Sequence, residues 1–236
     1  NQPIWVSVEV NGSQVSRFIV PKTPQWFCVS SGMNKENETL VSIIKDSQPM
    51  NSEANHELYI HEIGFSDSGE FCNIPPRKLN IEFIGDSITS GEGLAGLPFE
   101  MDWITQWMCA SKTYARKCCL ELNANYSVLS QCGWGICWGW DGNKNNNLPK
   151  YYNQICGLLT KPNQISYGST CEYNFSVKND FVVLNLGTND NGAFFQPAWK
   201  DETGIEYPLH VDENERAIEE NGKKVSEGVY NFLVNI

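Results

Sequence analysis

Two strand-like runs, about 100 residues apart, constrain this chain more than anything else in it, because both end in glycine followed by small polar residues. The first, Ile81-Glu82-Phe83-Ile84, runs into Gly85-Asp86-Ser87, with Gly91 and Gly93 shortly after. The second, Phe181-Val182-Val183-Leu184-Asn185-Leu186, runs into Gly187-Thr188-Asn189-Asp190. A continuous apolar run bounded by glycine fits a strand buried on both faces of a parallel sheet. In such sheets ligands bind beyond the carboxyl ends of the strands. The pattern therefore predicts Ser87 and Asn189 at one rim.

The residue types at that rim suit acyl transfer. A nucleophilic serine needs its hydroxyl presented at the end of a rigid strand and its own N–H free to face a developing oxyanion. Gly-Asp-Ser alone is common, and an ordinary strand-to-loop turn accounts for it; the combination carries the reading. Asn189 adds an amide donor suited to an oxyanion hole. Between the two runs, 126–131 reads as a third short strand, entering the glycine-containing loop Cys132-Gly133-Trp134-Gly135. A glycine loop there lets a backbone N–H approach a ligand closely.

Together the three segments resemble the SGNH (GDSL-type) hydrolases, whose blocks are Gly-Asp-Ser, a loop glycine, Gly-x-Asn-Asp and Asp-x-x-His. Three of the four are present, in order. The resemblance implies a three-layer α/β/α domain with a parallel sheet and Ser87 as nucleophile. It also implies an oxyanion hole formed by the Ser87 N–H, the Gly133 N–H and the Asn189 side chain. Pro75-Pro76-Arg77-Lys78 before the Gly-Asp-Ser strand, with an all-β segment upstream, resembles carbohydrate esterase family 2. So do the phrases around Gly133 and Asn185–Phe194. Those enzymes join a small jelly-roll β-sandwich to an SGNH domain and remove acetyl groups from plant cell-wall polysaccharides. Cys132-Gly133 stands where related sequences read Ser-Gly, which keeps the glycine N–H.

The expected organisation is a β-sandwich over 1–74 and a hydrolase domain over 77–236, joined by the stiff Pro75-Pro76 pair. In the first part Ile4, Val6, Val8 and Val10 alternate with polar or amphipathic residues, and Asn11-Gly12 marks a hairpin turn. Thr39–Lys45 and Glu57–Phe65 read as further strands. Starting on a strand and without Met, the chain is expected to have more of the sandwich upstream of Asn1. Helices are expected over 111–122, with Cys118 in its core face, and over 213–235, capped by Asp212 or Asn214.

The fourth block has no match. His56 and His61 precede the nucleophile, and His210 lies in a loop some twenty residues after Asn189. The general base is therefore expected to lie outside this chain, on a removed C-terminal segment or on a separate polypeptide that completes the domain; otherwise the protein is not catalytic.

A net charge of −11 argues against nucleic acid or an anionic membrane as partner. No run approaches a transmembrane helix in length. The nine cysteines show no paired Cys-x-x-Cys spacing, so neither metal nor cofactor is expected. They fit disulfides of a secreted protein or free thiols, and an odd count leaves at least one thiol unpaired. Four Asn-x-Ser/Thr sequons (Asn11, Asn37, Asn125 and Asn174) are compatible with secretion. Trp103, Trp107, Trp134, Trp138, Trp140 and Trp199 flank the motif blocks. Indole offers a flat face to sugar C–H groups, and Trp134, inside the glycine loop, is the first choice for lining the site. The leading expectation is an extracellular serine esterase acting on acetylated polysaccharide or oligosaccharide of the xylan or glucomannan type. The alternatives are a non-catalytic carbohydrate-binding module on the same scaffold and a lipid or thioester hydrolase.

Overall fold

The computed structural model describes residues 2–34, 36–49, 56–65, 69–209 and 219–236. The backbone forms two compact units, residues 1–80 with 91–126 and residues 81–90 with 127–236.

In the first unit β1 (Ile4–Val10) lies between β2 (Ser13–Val20) and β3 (Val41–Lys45), all antiparallel. Asn11 and Gly12 both take positive φ, 50° and 82°, as a two-residue hairpin turn requires. The alternation along β1 puts Val6 and Val8 in the core. Its polar face is buried as well, because Ser7 and Glu9 meet partners there. The Ser7 hydroxyl donates to Asp46, and Glu9 takes the Arg116 guanidinium. Arg17 Nε donates to Asp46 at 3.0 Å, and the Ser111 N–H donates to its other oxygen at 2.9 Å. These bonds tie 91–126 to the β-rich segment, a pairing that sequence order does not suggest.

Two expectations change here. Residues 57–65 join no ladder among the described residues, and Tyr59, Ile60, Ile63 and Phe65 are exposed. An apolar alternation makes a strand only where a neighbour supplies backbone partners. The expected helix 111–122 begins with a short 3-10 turn, Ala110–Lys112, and becomes α-helical only over Tyr114–Glu121. Thr113 caps it, accepting the Arg116 N–H. Its buried face holds Ala115, Arg116 and Cys119, whereas Cys118 is exposed. The Arg116–Glu9 pair turns that face inward.

The second unit is built on a three-stranded sheet in the order β5-β4-β6, with β4 (Leu79–Gly85), β5 (Ala124–Ser130) and β6 (Phe181–Asn185). β4 is buried from Ile81 to Gly85 and pairs with β6 in parallel, Ile81 opposite Phe181 and Gly85 opposite Asn185. β6 is an edge strand of this sheet, with Phe181 58% and Val182 40% exposed. Ile84, Trp134, Leu148, Tyr152 and Phe232 form the core. Phe232 comes from the last helix, which spans Glu219–Leu233. Its expected start, the caps Asp212 and Asn214, and Ile218 lie outside the described residues. The helix crosses the glycine-rich loop at Gly228, where a Cβ would press on the Cys137 sulfur.

Candidate active site

Ser87 follows β4 as the first residue of a one-turn helix, α1 (Ser87–Ser90), and is half-buried. The turn is fixed by Asp86, whose Oδ1 accepts the Ile88 N–H at 3.0 Å and whose carbonyl accepts the Ser90 N–H at 3.0 Å. Gly85 cannot carry a side chain, since a Cβ there would collide with Thr89 and come within 3.0 Å of the Asn185 carbonyl. Gly-Asp-Ser thus encodes a strand end packed against its parallel neighbour.

That register brings the blocks together. Gly85 opposite Asn185 places the exits of β4 and β6 side by side. A second short helix, Thr188–Ala193, starts after Gly187, whose φ of 120° only glycine adopts readily. The loop after β5 joins through the Gln131 N–H, which donates to the Gly85 carbonyl at 3.2 Å. The Ser90 hydroxyl donates to that of Ser130 at 2.9 Å. Gly133 takes a positive φ of 77°. Its carbonyl accepts the Trp140 N–H at 2.8 Å. The Asn189 Nδ2 donates to the Trp134 carbonyl at 2.8 Å, which fixes the amide plane and leaves its second N–H uncommitted by that bond. Among the described residues, neither the Ser87 N–H nor the Gly133 N–H donates to another group of the chain.

Two buried carboxylates flank these groups. Burial holds Asp86 above the usual carboxylate range; the Ile88 N–H draws it back, and the charge of Asp190 raises it further. Burial likewise raises Asp190, against the N–H groups of Ile136, Cys137 and Trp138. The Cys137 thiol is pushed up to about 11 by burial and by Asp190.

Trp134 is not a surface platform. Only 2% of it is exposed, and its ring packs with Ile84, Leu148 and Tyr152. The loop around it turns its glycine outward and its indole into the core. Trp138 is buried too, edge-on to Phe194 at 5.9 Å. Trp140, 44% exposed and bonded through its N–H to Gly133, is the indole of this loop that meets solvent. The sequence put Trp140 among the rim tryptophans without singling it out, since periodicity in an irregular loop does not tell inside from outside. His56 and His61 belong to the first unit, and His210 lies outside the described residues. The described part of the second unit therefore contains no histidine. No group of three or more metal-ligating side chains occurs among the described residues.

No family model matches the chain. The solved structures that its fold matches are carbohydrate esterase family 2 proteins. The acetyl xylan esterase Est2A from the rumen bacterium Butyrivibrio proteoclasticus superposes with a TM-score of 0.89 and 33% identity, over 99% of this chain and 63% of that one. A family two esterase from Clostridium thermocellum, solved with cellohexaose, gives a TM-score of 0.64 at 21% identity, over 98% of this chain and 62% of its own. Among curated proteins, the cellulase/esterase CelE of Acetivibrio thermocellus is 27% identical over 194 residues, which is 81% of this chain and 22% of that protein. The chain thus spans less than two thirds of the length of these relatives, and with them it shares an α/β fold containing a parallel sheet.

Proposed function

We propose that this chain carries the nucleophile and oxyanion hole of a secreted serine carbohydrate esterase that removes O-acetyl groups from plant cell-wall polysaccharide. The observation that carries the reading is the convergence of Ser87, Gly133 and Asn189 at one end of the β5-β4-β6 sheet, with the first two N–H groups uncommitted. In this reading the Ser87 hydroxyl attacks the acetyl carbonyl. The carbonyl oxygen becomes an oxyanion facing the Ser87 and Gly133 N–H groups and the free Asn189 N–H, the sugar alcohol leaves with a proton, and water then releases acetate from the acylated Ser87. Such donors act where charge develops, and each is worth about 10²–10³ in kcat. Trp140 offers an exposed indole face for a sugar ring beside Gly133.

Ser87 also needs a base to take its proton. The base is a histidine outside the described part of the second unit, borne by His210, by a downstream segment or by a separate polypeptide. Among the described residues β6 is the edge of its sheet, which supports a further strand there. In sequence the division remains 1–74 and 77–236, with 91–126 of the second part packing into the first compact unit. The lack of a histidine in the described second unit favours one other reading, a non-catalytic carbohydrate-binding module. Assaying an activated acetate ester with the chain alone, with a histidine-bearing polypeptide added, and with Ser87→Ala and His210→Ala decides between them. Turnover lost with Ser87→Ala supports the esterase. Absence of turnover in every form, with retained binding of xylo- or gluco-oligosaccharides, supports the module.

A further inference from the structure

We propose that Asp190 is a positioning residue of this site, its buried carboxylate setting the shape of the Gly133–Trp138 loop and so the direction of the oxyanion donors. The inference rests on the esterase reading for its catalytic consequence, whereas the grip on the loop stands by itself.

Asp190 is 1% exposed, and among the described residues no cation pairs with it. Its oxygens are divided among consecutive backbone donors of the loop. Oδ2 accepts the Ile136 N–H at 2.8 Å; Oδ1 accepts the Cys137 N–H at 2.7 Å and, more weakly, the Trp138 N–H at 3.4 Å. The Asp190 carbonyl accepts the Trp138 indole N–H at 3.0 Å. One residue earlier, Asn189 holds the Trp134 carbonyl. Two adjacent side chains thus grip residues 134, 136, 137 and 138. The residue between the grips is Gly135, where a Cβ would run into the Asp190 carboxylate and the Trp138 carbonyl. Gly133, the proposed donor, is the next residue back from this clamp.

The chemistry asks for a carboxylate and not an amide. All the groups bonded to the Asp190 carboxylate are N–H donors, and a carboxylate is acceptor-only on both oxygens. Bonds to a charged acceptor are also shorter and stronger than neutral ones. Asparagine has the same shape but must turn its NH₂ toward either Ile136 or the Cys137–Trp138 pair, where donor faces donor. A displacement of the loop by an ångström is enough to cost about 10²-fold in rate.

The test is Asp190→Asn, read in two ways. In the 236-residue chain, amide hydrogen exchange at Ile136 and Cys137 should quicken at least tenfold, by the order of magnitude a lost hydrogen bond represents. Protection of Ile81–Ile84 should stay unchanged. In whichever form shows Ser87-dependent turnover, kcat for an activated acetate ester should fall about 100-fold with KM unchanged, the signature of an interaction made only in the transition state. If Asp190→Asn does not fold, Trp138→Phe, which removes the indole bond to the Asp190 carbonyl and trims a ring packed on Phe194, should show both effects in the same direction and smaller. Unchanged exchange at Ile136 and Cys137, or an unchanged kcat per folded molecule, overturns the proposal. Turnover that survives Ser87→Ala defeats the esterase reading instead and leaves the exchange experiment to decide the clamp.

Discussion

Each compact unit is organised around a buried aspartate, and the two are satisfied in opposite ways. Asp46 in the first unit is held by a cation, Arg17, together with the Ser7 hydroxyl and the Ser111 N–H. Asp190 in the second unit is held by the backbone N–H groups of one loop. A cation neutralises the buried charge and fixes distant segments of chain to each other. Backbone donors leave the charge in place and fix the loop that supplies them. The first arrangement secures a fold, and the second secures the geometry of a site.

The largest effect sought is the loss of ester hydrolysis to background in Ser87→Ala, with an unchanged circular dichroism spectrum. Any sizeable residual turnover would move the chemistry, and with it the functional half of the comparison, away from this rim.

Asp46→Ala should cost about 3–5 kcal/mol of unfolding free energy by denaturant titration, as removal of one partner of a buried pair does. Turnover per folded molecule should stay the same. A fall in kcat with little loss of stability would show that the two aspartates do not divide their roles as described.

Asn189→Ala should lower kcat by about 10²–10³-fold with a small effect on stability. An unchanged kcat would make the Asn189–Trp134 bond purely structural.

A smaller effect separates the aspartates by pH. Burial raises both Asp190 and Asp86 above 3.8, so the folded state holds those protons more tightly than the unfolded chain does. Their stabilising contribution is therefore complete below about pH 3.8 and is lost as pH rises through the folded values. In a comparison of wild type with Asp190→Asn, Asp86 works in the same direction, because the substitution removes the charge that raises it further. The stability lead of the wild type should be widest in acid and shrink toward neutral pH; a lead that widens with pH would mean that Asp190 is not raised.

The smallest effect concerns Cys137. With its thiol pushed up to about 11, roughly one part in a thousand is thiolate at pH 8, so alkylation should lag behind that of exposed Cys171. Equal rates would indicate an opened loop.

Much of the candidate site's local geometry was legible in the sequence because its turns are local. Gly85, Ser87, Gly133, Gly187 and Asn189 sit where a strand must stop and a tight turn or close approach follows, and such stops are written in a few adjacent residues. The hairpin at Asn11-Gly12 was legible for the same reason. The side of the chain that faces inward was not, because burial depends on partners far away in sequence. Trp134 lines the core because Ile84, Leu148 and Tyr152 surround it, and Cys119 is buried in place of Cys118 because Arg116 reaches Glu9.

The sequence by itself therefore determined the strand ends, their glycines and the order of the blocks, since backbone sterics act within a few residues. Only the tertiary structure decided that 91–126 packs with the β-rich segment and that 57–65 joins no β-ladder among the described residues. It also decided that Asp190 spends its carboxylate on the loop of Gly133. Each of these joins groups tens of residues apart, where a buried charge or backbone donor takes whichever partner the fold brings within reach.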